Sequence, residues 1–217
     1  MLAEQIRQDQ IANDLANAST AGYKADRTSQ HTFGELLLAN SATGAVIGSQ
    51  STAVQVDRIV TDFSPTAARE TGEALDFAIS GEGFFAVQTA QGVRYTRNGQ
   101  FTLDPQNRLV TAAGDPVLDS GGRPITGTDG VVDPRRIGIV NLTNPRKEGN
   151  SLVAGTAAGA ATGAVRSGAL EGSGANAARS MVDMIASMRA FEAGQKVIQT
   201  IDDTLGKAAT QVGSVNA

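Results

Sequence analysis

The sequence predicts a mixed α+β chain that is mainly β at its centre, an antiparallel β-domain flanked by an N-terminal and a C-terminal helix. Three observations predict it. All six prolines fall between Pro65 and Pro145, so both ends lack the strongest helix breaker. The stretch from Gly83 to Leu118, "GFFAVQTAQGVRYTRNGQFTLDPQNRLVTAAGDPVL", alternates apolar and polar residues between turn signals. Near the C-terminus, Met184, Phe191, Ile198, Leu205 and Val212 recur every seven residues.

The first element, residues 1–27, is a helix from about Leu2 to Ala18 followed by an Asn/Gly turn. Stepping 100° per residue sets Leu2 and Ile6 on one side and Ile11 and Leu15 nearly opposite. A helix docked on one surface shows one stripe, so this one is expected to sit between neighbours. Asn13 and Asn17, one turn apart, present amides that either hydrogen-bond across helices or are simply solvated. Residues 28–51, with the small polar run "NSATGAVIGSQS", read as a linker.

The β-domain is expected over 52–148. "TAVQVDRIV" (52–60) alternates as a strand, and Phe85 with Val87, Val93 with Tyr95, and Phe101 with Leu103 follow on successive strands before Leu109. Asn98-Gly99 is read as a tight hairpin needing positive φ. Asp104-Pro105 with Asn107, and "DSGG" at 119–122, mark further reversals. Residues 149–175 repeat Gly and Ala without a clean period and read as a second linker. The last element, 176–217, is a long helix from Asn176 to Val212, roughly 55 Å at about 1.5 Å per residue. Met181, Ile185, Met188 and Ile201 flank its heptad positions. Such a repeat asks for another helix alongside, the alternative being a helix lying on the chain's own β-domain.

Composition narrows the function. The chain has 217 residues, 4% aromatic, with a net charge of −4 and scattered basic residues, which argues against a nucleic-acid surface. It has no cysteine, which removes disulfides, Cys-based metal sites and thiol catalysis. No apolar run reaches the roughly 18 residues of a membrane span. The start "MLAEQIRQDQ" has neither a basic n-region nor an apolar h-region, so no cleavable signal is expected. Candidates for chemistry are thin. His31 in "TSQHTF" has no carboxylate at ligand spacing, and the G-x-G of "GEGFF" (81–85) precedes a strand instead of a helix. Asp202 and Asp203 point two ways from a helix. Neither an enzyme nor a cofactor or metal site is expected.

Three stretches, in order, resemble the flagellar axial proteins, the hook and basal-body rod family. They are "IANDLANASTAGYKADR" (11–27), "TGEALDFAISGEGFFAVQ" with "YTRNGQFTLDPQNRLVTAAGDPVL" (71–88 and 95–118), and "GALEGSGANAARSMVDMIASMRAFEAGQKVIQTIDDTLGKA" (168–208). "GSGAN" at 172–176 is less Asn-rich than the usual form, and Phe191 stands where Tyr is common. The short intervening region resembles rod subunits, distal or proximal, more than the hook subunit. The resemblance implies that the two terminal helices pair as a coiled coil and that subunits stack into a helical tube. It also implies self-association, contact with other rod and hook subunits, export through the flagellar type III apparatus, a periplasmic location, and further residues ahead of Met1. The expected assembly residues are Ile11, Asn13, Leu15, Asn17, Gly22, Tyr23, Lys24, Met181, Met184, Ile185, Met188, Phe191, Ile198, Leu205 and Val212. The alternatives are a hook subunit, or a surface module that recognises peptidoglycan from a helical stalk.

Overall fold

The computed structural model describes residues 2–39, 46–128, 130–149 and 151–214. The chain forms two compact units. One gathers both terminal helices with residues 28–60, and the other comprises residues 16–27 and 61–176.

In the first unit, helix α1 spans Leu2–Ala16, a run free of Gly and Pro and rich in good helix formers. It ends two residues short of the expected Ala18. The Thr20 backbone N–H donates to the Asn17 carbonyl at 3.1 Å, closing a turn. Helix α2 spans Ala177–Ser214, 38 residues, or about 57 Å. Between them in sequence, β1 (Asp26–Ala39) and β2 (Val46–Thr61) form a two-stranded sheet. The segment 28–51 expected as a linker is thus largely paired strand. "NSATGA" at 40–45 lies outside the described residues.

The second unit is built on a closed four-stranded barrel in the order β10-β6-β5-β9. These strands are β5 (Phe84–Thr89), β6 (Gly92–Thr96), β9 (Ile139–Lys147) and β10 (Leu152–Ala160). β5 and β6 pair antiparallel with Phe85 opposite Thr96 and Val87 opposite Arg94. Alternation along β5 feeds two cores. Phe85 and Val87 pack with Phe77, Ile79, Phe101, Leu109, Val117 and Ile125, while Phe84 and Ala86 pack with Tyr95, Leu118 and Val153. Phe85 meets Phe101 edge-on at 5.3 Å between ring centroids, a favoured aromatic geometry.

Short ladders surround the barrel. β3 (Ala68–Glu70) pairs with β12 (Ala169–Glu171), β4 (Phe77–Ser80) with β11 (Ala164–Ser167), and β7 (Thr102–Leu103) with β8 (Leu109–Val110). The Gly/Ala-rich stretch 149–175, expected as a second linker, therefore supplies β10, β11 and β12. Ladder hydrogen bonds are made by the backbone and need no large side chain. Small residues also allow close approach: a Cβ on Gly163 would stand 2.5 Å from the Glu82 carbonyl oxygen.

The turns split. Asn107 takes φ 56° and Asp104 Oδ1 accepts from the backbone N–H groups of Gln106 and Arg108 at 2.9 and 2.8 Å, so that reversal is as expected. At Asn98-Gly99 the expected positive φ is absent. Gly99 is required there because a Cβ would fall 1.6 Å from the Phe77 carbonyl oxygen.

Candidate assembly interface

The faces of α2 follow from its sequence. At 100° per residue, Ser180, Met184, Ser187, Phe191 and Gly194 share one face, and each is buried or half-buried. The same face continues through Ile198, Ile201 and Leu205, which are 48%, 52% and 62% exposed. A second stripe, about 100° round the helix, carries Met181, Ile185 and Met188, all about half exposed. Asp202 and Asp203 are exposed. The side chain of Val212 lies outside the described residues.

On α1 one face dominates, with Ile11 and Asp14 buried and Glu4, Arg7 and Gln8 half-buried. Of the residues expected on its two sides, Leu15 and Ile6 are half-buried, the side chain of Leu2 lies outside the described residues, and Asn13 is exposed. The helices touch at a polar contact, where the Ser187 hydroxyl donates to Glu4 Oε2 at 2.9 Å. Ser187 is buried.

The turn after α1 has a different character. Asn17 is half-buried; its carbonyl accepts from the Ser173 hydroxyl at 2.8 Å and its Oδ1 from the Thr20 hydroxyl at 3.2 Å. Gly22 takes φ 65°, and a Cβ there would lie 2.3 Å from the Arg97 carbonyl carbon. Tyr23 and Lys24 are buried. Gly22, Tyr23 and Lys24, expected to face a neighbouring subunit, are instead packed within the second unit. Their small, aromatic and cationic character serves an internal dock.

That dock centres on Glu171, whose side chain is 1% exposed. Its Oε1 accepts from the Lys24 ammonium at 2.7 Å and from the Thr66 backbone N–H and hydroxyl at 2.9 and 3.0 Å. Its Oε2 accepts from Arg97 Nη1 at 3.0 Å. The Lys24 ammonium also donates to the Ser64 carbonyl at 2.7 Å, and Arg97 Nη2 to the Gly81 carbonyl at 2.9 Å. Burial lowers the Lys24 pKa, against the opposing pull of the Glu171 carboxylate. Alongside, the Lys147 ammonium donates to the Lys24 carbonyl at 2.9 Å and lies 4.0 Å over the Tyr23 ring.

Sequence reasoning did not find this hub. Lys24 and Glu171 are 147 residues apart, and no local pattern pairs them. One signal was present: each of the three family-like stretches holds one member, Lys24 in "TAGYK", Arg97 in "YTRNG" and Glu171 in "GALEG".

Little else could carry chemistry. Among the described residues no group of three or more His, Asp and Glu is placed to hold a metal ion. Glu82 is exposed in the turn before β5, and the side chain of His31 lies outside the described residues. No helix among the described residues is long and apolar enough to cross a membrane.

Three family models match the chain along its length. These are the flagella basal body rod protein (residues 1–24), the flagellar hook protein FlgE/F/G D1 domain (78–145) and the flagellar basal body rod FlgEFG protein C-terminal region (166–211). The chain is 34% identical to the flagellar basal-body rod protein FlgG of Bacillus subtilis (strain 168), over 93% of this chain and 91% of that one. The chain belongs to the flagellar basal-body rod family. It is also 32% identical to the rod protein FlgF of Caulobacter vibrioides (96% and 92% covered) and 34% identical to FlgF of Escherichia coli K12 (91% and 88%). The hub of this rod-family chain draws its cations and its carboxylate from all three matched regions or their immediate borders: Lys24 ends the first, Arg97 lies in the second and Glu171 in the third.

Proposed function

We infer that the chain is a structural subunit of the bacterial flagellar basal-body rod, without an active site, that polymerises into a helical tube. The tube transmits torque from motor to hook and encloses the export channel. The observation that carries this reading is the apolar face of α2, covered as far as Gly194 and open at Ile198, Ile201 and Leu205. A sustained apolar seam on one helix is completed by another helix. A second copy supplies it through contacts that do not close a ring, which is the route to a filament. Met181, Ile185 and Met188 offer a second face to a further neighbour, as Met-bearing surfaces adapt to varied partners. In this reading α1 and α2 extend their contact at Ser187 into a coiled coil.

Within the second unit, the Glu171 hub ties the turn at residues 22–24 to the β-domain. Partners are other rod and hook subunits, and delivery is by the type III export apparatus to the periplasm. The rod is favoured over the hook by the FlgF and FlgG relatives.

The test is the double variant Ile198→Glu with Leu205→Glu, expressed in cells in place of the parent. Rods fail to assemble and swimming is lost, while the purified variant keeps the parent's unfolding transition for the β-domain. Normal rods and swimming would sink the assembly reading.

A further inference from the structure

A small cleft opens beside the 22–24 turn, within the second unit. Its lining includes Gly22, Lys24, Phe84, Arg97, Lys147 and residues 151–153. Three cationic side chains line it and no carboxylate does. Their counter-charges, Glu171 and Asp26, are not among the lining residues.

The charge balance of the hub is incomplete. Lys24 and Arg97, both nearly inaccessible, share the single carboxylate of Glu171, and an unbalanced buried charge is costly. Arg97 Nε is buried without a hydrogen-bond partner, although its guanidinium rests 5.2 Å over the Phe84 ring. The Lys24 ammonium uses two of its three hydrogens, on Ser64 and Glu171. The cavity volume is about 10 Å³, room for one small species.

We propose that this cleft binds a single monovalent anion of chloride size, held by Arg97 Nε and the ammonium groups of Lys24 and Lys147. The ion neutralises the surplus charge of the hub and satisfies the idle guanidinium N–H. Apolar walls from Phe84 and Leu152 keep competing water from screening it.

Bromide tests it directly. Crystals of the full chain grown in sodium bromide should show one anomalous peak within hydrogen-bond distance of Arg97 Nε. In solution, replacing gluconate by chloride at constant ionic strength should raise the thermal midpoint saturably, by about 3 °C at ten times the dissociation constant. Lys147→Met, at a partly exposed position, should weaken that dependence, and Lys147→Arg should keep it. A water without anomalous signal in the cleft would overturn the proposal. So would a bromide peak with no change in midpoint, which would mark an adventitious ion only, or an equal chloride effect in Lys147→Met.

Discussion

The Glu171 hub and helix α2 treat their bonding capacity in opposite ways. At the hub, the side chains of Lys24, Arg97 and Glu171 are at most 4% exposed and all three are ion-paired. Along α2, large apolar side chains stand about half exposed from Met181 to Leu205. The first region makes its ion pairs inside the chain, while the second leaves an apolar face unfilled, which monomeric proteins seldom do on this scale. The difference separates two jobs that one composition could hide: holding residues 22–24 to the β-domain within one unit, and, in the proposed reading, joining subunits.

The largest stability effect is expected at the hub. Glu171→Gln leaves two cations buried without their counter-charge and should cost about 3–5 kcal/mol, read from urea unfolding of the full chain. A loss under 1 kcal/mol would show that the hub is not a tie. Next, Gly99→Ala forces a methyl group onto the Phe77 carbonyl and should cost about 1–3 kcal/mol, also by urea unfolding. Helix content from circular dichroism should stay unchanged in both, because neither residue lies on α1 or α2.

The pH dependence follows from three groups. The Ser64 hydroxyl and backbone N–H hold the Asp62 carboxyl below its usual value, and the Arg123 backbone N–H does so for Asp119. A lowered carboxylate pKa gives stability that is fully present above 3.8 and is lost as pH falls through the folded value. For Lys24 the slope with pH has the same sign, in an alkaline window. Its folded pKa is lowered, so the unfolded chain binds more protons in the window below 10.5 and stability gains with rising pH there. Urea midpoints should therefore fall in acid, and Lys24→Met should remove the alkaline gain. An acid-insensitive midpoint would contradict the hydrogen bonds assigned to Asp62 and Asp119. The smallest effect is reserved for Arg27→Ala. Arg27 pairs with Asp62 at 2.9 Å, but its side chain is 79% exposed, so the change should stay under about 1 kcal/mol.

What the sequence revealed depended on how far apart the cause lay. Alternation in "GFFAVQ" and "VRYT" specified β5 and β6 because a half-buried strand writes its own period. The heptad in α2 was equally local. The Gly/Ala-rich strands β10 to β12 left no such mark, since their order comes from ladders with β9, β6, β4 and β3. Gly22, Tyr23 and Lys24 formed a visible motif whose partners, Arg97 and Glu171, lie far off in the chain. Asn98-Gly99 misled because its glycine answers a steric demand from Phe77 instead of a dihedral one.

The most direct test of the assembly claim is sedimentation velocity of the full chain over a wide concentration range, beside the Ile198→Glu, Leu205→Glu variant. The account expects the parent to form growing oligomers as concentration rises and the variant to remain monomeric with its β-domain unfolding transition intact. A parent that stays monomeric throughout, or a variant that assembles equally well, would contradict it.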